Sequence, residues 1–127
     1  MNGAIIAALN EEETIGELVK VLRSYGLEVC VINDGSKDGT EWKALTSGAY
    51  VITHKEPLGI RESLIDGWQY ALQQGWQRII QIDAGGSHDP HQIVKLLSSD
   101  ADVVVGSRFI NGSKYIGKAR AKIGRAV

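Results

Sequence analysis

Apolar residues fall along this chain in two alternating patterns. Short continuous runs of strand length, Ala4 to Leu9, Glu28 to Asn33, Tyr50 to Thr53, Arg78 to Asp83 and Val103 to Gly106, are separated by stretches with helical spacing. In the first such stretch, Ile15, Leu18, Val19 and Leu22 fall at i, i+3, i+4 and i+7. Asn10 and Glu13 have the spacing of a helix cap and its reciprocal partner, and Gly26 suits the residue just past the helix end. A short helix is expected around Trp42 to Leu45. A longer one follows Pro57 and Gly59, roughly Arg61 to Gln74, with Leu64, Ile65, Trp68, Ala71 and Leu72 as its apolar face. Asp89 and Pro90 open another, whose core residues would be Ile93, Leu96 and Leu97. Strands that alternate with helices imply an α/β fold: a parallel sheet of about five strands with helices on both faces and right-handed crossovers.

Length narrows this to one domain, because 127 residues suffice for a core but are few for a complete enzyme. No apolar run approaches the roughly 18 residues of a membrane span. The N-terminus has no basic segment before its short apolar run, so no signal peptide is expected and the cytoplasm is the default compartment. Cys30, the single cysteine, lies in the run Val29-Cys30-Val31-Ile32 and reads as a small core residue. The net charge of −1 hides a split. Residues 1–102 carry all 15 acids and 8 of the bases, whereas residues 103–127 carry six bases and no acid. The sequence therefore divides into an α/β domain, 1–113, and a basic amphipathic tail, 114–127, with Ile116, Ala119, Ile123 and Val127 opposite Lys118, Lys122 and Arg125. Such a tail suits peripheral contact with the inner face of an anionic membrane, or self-association of the chain. The acidic body, without interleaved aromatics, argues against nucleic acid.

In a parallel sheet every loop that follows a strand lies on one edge. Asn10-Glu11, Asn33-Asp34, Asp83 to Asp89 and Ser107-Arg108 should therefore meet there, although they are far apart in sequence. A strand-end Asp such as Asp83 is on its own equally a turn cap, and it is the convergence of four polar groups that points to a site. A carboxylate at that edge can accept from a nucleobase or hold a metal, and an arginine can fork onto a diphosphate. His54 and His91 read as surface residues, His88 as an outer support of the site, and Trp42, Trp68 and Trp76 as packing.

These residues carry a resemblance. Ile6-Ala7-Ala8-Leu9-Asn10-Glu11-Glu12 resembles the opening strand of family 2 glycosyltransferases of the GT-A fold, and Val31 to Thr40 resembles their Asp-Asp-Gly-Ser-x-Asp-Gly-Thr turn. Asp83 to Pro90 is similar to their metal loop, and Val105-Gly106-Ser107-Arg108 to their Gly-Ser-Arg. The branch most resembled is that of the dolichyl- and polyprenyl-phosphate mannose synthases. The resemblance implies a Rossmann-like nucleotide-binding half and transfer from GDP-mannose or a UDP-sugar to a polyprenyl-phosphate acceptor. It further implies nucleotide-sugar contacts at Ala8, Leu9, Asn10, Glu11, Asn33, Asp34, Ser36, Asp83, Ala84 and Gly85, with catalytic roles for Asp83 and Arg108. A Mg2+ or Mn2+ ion would sit at Asp83, with Ser87, His88 and Asp89 as further candidate ligands.

Three departures qualify that pattern. Gly85 replaces the second acid of the Asp-x-Asp loop, which implies a weak metal site. Asn33 replaces the first acid of the Asp-Asp pair. The family continues past the point at which this chain ends into an acceptor-binding half, so the competing expectation is a truncated nucleotide-sugar-binding module or subunit without catalysis. A phosphoacceptor receiver domain does not fit, since Asn10-Glu11, Thr53-His54 and Ser107-Arg108 stand where its acids and lysine would be. A dinucleotide-binding domain lacks its glycine-rich turn here.

Overall fold

In the computed structural model, residues 1–85, 91 and 103–105 are described. Five parallel strands, β1 (Asn2–Ala8), β2 (Glu28–Asn33), β3 (Tyr50–Thr53), β4 (Arg78–Asp83) and β5 (Val103–Val105), form one sheet in the order β3-β2-β1-β4-β5. Helices α1 (Ile15–Ser24), α2 (Thr40–Ser47) and α3 (Ile60–Gln73) connect β1 to β2, β2 to β3 and β3 to β4. The α/β expectation holds, with strand bounds within two residues of those read from the pattern. Residues 86–90, 92–102 and 106–127 lie outside the described residues, so the helix expected after Asp89 and the basic tail carry no structural account.

The strand order explains the continuous apolar runs. β1 lies in the middle, and Gly3 to Ala8 are all buried because helices cover both faces of the sheet. Alternate residues feed two cores. Ala4, Ile6 and Ala8 join Ile15, Leu18, Val19 and Leu22 of α1 on one face. Ile5, Cys30 and Ile32 join Ala71 of α3 and Trp76 on the other. Burial pushes the Cys30 thiol pKa up to about 12, which agrees with an inert core residue. The chain winds outward from β1 through β2 to β3, then returns over α3 to β4 on the other side of β1. The carboxyl ends of β1 and β4 thus flank a topological switch point, where open α/β sheets bind ligands.

Three local expectations are corrected. α1 begins at Ile15, not after Asn10, and its cap residue Thr14 makes no capping hydrogen bond. Asn10 instead takes a left-handed conformation, φ 55°, and its side chain serves a neighbouring loop, which outcompetes capping. Trp42 is 68% exposed, because α2 buries Thr40 and Ala44 and position 42 falls on the opposite side. α3 is rotated from the expected face: Ser63, Gly67 and Ala71 are buried, whereas Leu72 is 69% exposed.

Small residues win on α3 because the helix lies close to the sheet. A Cβ at Gly67 would stand 2.7 Å from Ile32 Cδ1 and 3.2 Å from Ile5 Cβ. Trp68, half-buried beside this stripe, donates from Nε1 to Gln81 Oε1 at 2.9 Å. Gly67→Leu should therefore destabilise the domain by about 2–3 kcal/mol through overpacking, well beyond the roughly 1 kcal/mol that helix propensity returns. Urea unfolding would show a lower midpoint with an unchanged slope. A variant as stable as the parent would mean that α3 does not approach β1 and β2 this closely.

Candidate functional site at the carboxyl edge of the sheet

The loops after β1 and β2 interlock. Asn10 N donates to Ser36 Oγ at 2.8 Å, and Asn10 Oδ1 accepts from Lys37 N at 2.9 Å. Glu11 N donates to Thr40 Oγ1 at 2.9 Å, Glu12 N to Asp38 Oδ2 at 3.3 Å, and Gly39 N to Glu12 Oε2 at 3.1 Å. Asp38 also accepts from Thr40 N at 2.9 Å and Thr40 Oγ1 at 2.5 Å. Burial pushes the Asp38 carboxyl up, but these donors outweigh it and hold its pKa below 3.8. The third loop joins through Thr14, whose hydroxyl donates to the carbonyl of Ala84 at 2.7 Å. Next to it, Gly85 N donates to Asp83 Oδ1 at 3.4 Å. Asp83 pairs in register with Ala7, so it ends β4 beside the switch point.

Sequence reasoning missed the fourth participant, the loop 54–59 after β3. His54, expected at the surface, has a side chain only 8% exposed. Its Nδ1 lies 2.8 Å from Asp34 Oδ1, and its Nε2 lies 2.6 Å from Asp66 Oδ2 on α3. Asp34 also accepts from Leu58 N at 2.7 Å and from Gly59 N at 3.0 Å. Burial raises the Asp34 pKa, but the Leu58 amide, His54 and the Gly59 amide outweigh it, so the carboxyl ends below 3.8. For His54 the hydrogen bond to Asp34 leads upward, burial opposes it, and Asp66 adds to the rise, so the ring ends above 6.5. The signal that could have found His54 is positional: it directly follows β3, at the edge where β2 ends at Asn33 and Asp34 follows. Nothing in the sequence marks Asp66 as its partner.

The structure thus brings together Ala8, Leu9, Asn10, Glu11, Asn33, Asp34, Ser36, Asp83, Ala84 and Gly85 at one edge. Asn33 is buried, with Oδ1 accepting from Ser36 N at 3.2 Å and Nδ2 3.5 Å from Thr53 Oγ1. Ser87, His88, Asp89 and Arg108 lie outside the described residues. His91 is exposed, with Nδ1 2.6 Å from the Tyr25 hydroxyl.

Glycosyl transferase family 2 matches residues 4–124, nearly the whole chain. The chain belongs to that family. It is 33% identical to an undecaprenyl-phosphate mannosyltransferase of Micrococcus luteus over 88% of this chain and 50% of the relative. It is 29% identical to a polyprenol monophosphomannose synthase of Mycolicibacterium smegmatis, over 85% of this chain and 45% of that one. The chain thus spans about half the length of the curated relatives it matches. Among solved structures it is similar to glucosyl-3-phosphoglycerate synthase of Mycobacterium tuberculosis, with a TM-score of 0.62 and 26% identity over 76% of this chain and 39% of that chain. The same enzyme has been solved in complex with Mn2+, uridine diphosphate and glucosyl-3-phosphoglycerate (TM-score 0.61, 24% identity, 76% and 38% coverage), a likeness that supports the GT-A fold.

The family's metal use can be weighed against this chain's donors. Among the described residues no group of three or more His, Cys, Asp or Glu could hold a metal ion. Asp83 supplies one carboxylate at the end of β4, with Gly85 two positions on. Among the described residues that donor set falls short of an all-protein cage and fits a cation held by one carboxylate and largely by the phosphates of a bound ligand. Among the described residues no helix is long and apolar enough to cross a membrane.

Proposed function

We propose that this chain forms the donor-binding half of an inverting glycosyltransferase that moves a sugar from a nucleotide-sugar to a polyprenyl phosphate. The observation that carries the reading is the hydrogen-bonded convergence of the β1–α1, β2–α2 and post-β4 loops at the switch point of the sheet. Its polyprenyl-phosphate mannosyltransferase relatives supply the acceptor class.

In this reading the base and ribose lie over Ala8, Leu9 and Asn10, with Glu11, Asn33 and Ser36 at their margin. A carboxylate has about four acceptor positions. Three at Asp34 are taken by His54, Leu58 and Gly59, which leaves one for a nucleobase N–H. Asp83 and Ala84–Gly85 face the diphosphate, and Arg108 adds a contact to phosphate. Asp83, with Ser87, His88 and Asp89, would hold Mg2+ or Mn2+, and such an ion supplies positive charge at the departing diphosphate. A phosphate oxygen of the acceptor attacks the anomeric carbon as the bond to the nucleoside diphosphate breaks, which inverts that centre. The acceptor oxygen is already anionic, so no base is needed. The basic segment 114–127 would serve contact with the anionic membrane that holds the lipid.

Calorimetric titration of the chain with GDP and UDP, with and without Mn2+, tests the donor site. Binding should be stronger with the metal present, and Mn2+ alone should bind poorly. Gly85→Asp should strengthen Mn2+ binding by restoring a second carboxylate, and Asp83→Ala should abolish the metal's effect. Absence of binding by either nucleotide at millimolar concentration sinks the donor-site reading. Micromolar Mn2+ binding without nucleotide would show that other residues form the metal site.

A further inference from the structure

His54 stands between two carboxylates, and its surroundings define its protonation by geometry. A neutral imidazole has one N–H and one lone pair, so it can donate to Asp34 or to Asp66 but not to both. With Asp34 Oδ1 at 2.8 Å and Asp66 Oδ2 at 2.6 Å, a neutral ring would press a lone pair against one carboxylate. With Asp34 and Asp66 both as carboxylates, only the imidazolium, a donor at both nitrogens, satisfies the arrangement. Two carboxylates facing a ring that is nine-tenths buried favour the charged form over its desolvation cost.

The consequence lies one bond further out. Asp34 holds the amides of Leu58 and Gly59, and so turns loop 54–59 onto the edge of the sheet. At the same place the backbone of Glu56–Pro57 packs directly on Gly35. The turn that contains Gly35 continues into Ser36 and Lys37, which hold Asn10. Among the described residues the charged groups acting on the ring are Asp34, which follows β2, and Asp66 of α3, while Glu41 of α2 accepts from Thr53 Oγ1 at 3.1 Å. His54 N also donates to the carbonyl of Asn33 at 2.9 Å, which anchors the backbone of the ring's own residue.

We propose that His54 is a positioning residue: as an imidazolium bridging Asp34 and Asp66, it clasps loop 54–59 against the nucleotide-binding edge, and loss of its proton loosens that edge. The part that concerns nucleotide rests on the donor-site reading above. The clasp itself does not. The sign follows from the ring: the clasp is complete below the ordinary histidine pKa of 6.5 and is lost as pH rises through the higher value in the folded protein.

The test is a pH titration of the 127-residue chain by NMR, following the His54 ring nitrogens and the Leu58 and Gly59 amides. The ring should titrate with a midpoint above 6.5, and both amides should shift with that same midpoint. Asp66→Asn removes one carboxylate at a partly exposed position, and it should move ring and amide midpoints together to lower pH. A ring that titrates at or below 6.5, or amides that do not follow it, would overturn the clasp. In parallel, GDP and UDP affinity should fall about five- to tenfold as pH rises through the ring's midpoint, and His54→Gln should abolish that fall. The diphosphate's own titration is common to both proteins and cancels in the comparison. Affinity that follows pH identically in His54→Gln would overturn the positioning role. A chain whose ring and amides titrate together but which binds no nucleotide would support the clasp and refute the donor-site reading instead.

Discussion

Asp34→Ala is expected to lower the unfolding free energy by about 3 kcal/mol at neutral pH. Asp34 is 6% exposed, and its carboxylate accepts from three internal donors, the His54 ring and the amides of Leu58 and Gly59. A buried donor left unsatisfied costs about 1–3 kcal/mol, and breaking a buried charge pair about 3–5. The lower end applies, because Asp66 still neutralises His54 and water can enter a loop at the surface. Asp34→Asn keeps the shape and an acceptor for one amide, so its loss should be smaller. The pH dependence carries a second signature. The depressed Asp34 pKa gives stability that is present above 3.8 and is lost as pH falls through its lower folded value. The raised His54 pKa gives stability that is present below 6.5 and is lost as pH rises through its higher folded value. Both limbs should flatten in Asp34→Ala when urea unfolding is followed across pH. A variant within about 0.5 kcal/mol of the parent, the range of ordinary surface substitutions, would mean that loop 54–59 is not held through this carboxylate.

The same residue shows where the sequence was readable and where it was not. Asp34 could be placed at this edge because it directly follows a buried strand, and in a parallel sheet strand ends converge. The interlock of Asn10 with Ser36 and of Thr14 with Ala84 follows from that topology, even though no local pattern announces either bond. What the sequence concealed was competition for side chains. Asn10 has the residue type and spacing of a helix cap, but two backbone and side-chain partners on the next loop claim it first. On α3 the larger residues Ile65 and Leu72 satisfy helical periodicity, yet Gly67 sets the packing, because close approach of backbone to sheet rewards the smallest residue. His54 was misplaced for a related reason. A histidine after a four-residue edge strand reads as solvated, and its other ring nitrogen is covered by Asp66, which reaches it from the crossover helix α3.

Gly35→Ala should be the other severe substitution, and it separates two causes that one glycine combines. Gly35 has φ +78°, a conformation that costs an L-residue about 1–2 kcal/mol. A Cβ there would also stand 2.6 Å from Pro57 N, 2.7 Å from Glu56 C and 2.8 Å from Pro57 Cδ. Two of those atoms are backbone and the third is in a ring, so no rotamer change can relieve the overlap, and the loop must lift away. Gly26 supplies the control: its φ is +82°, and nothing lies within 4 Å of the place a Cβ would take. Gly26→Ala should therefore cost only the conformational term, about 1 kcal/mol. Gly35→Ala should cost about 3 kcal/mol once overpacking is added. The two variants should also part in function. Lifting Glu56–Pro57 pulls Leu58 and Gly59 from Asp34, so Gly35→Ala should lose GDP and UDP binding while still folded at low temperature, whereas Gly26→Ala should bind as the parent does. Equal stability losses in the two variants, or intact nucleotide binding in Gly35→Ala, would show that the β2–α2 turn and loop 54–59 do not depend on each other.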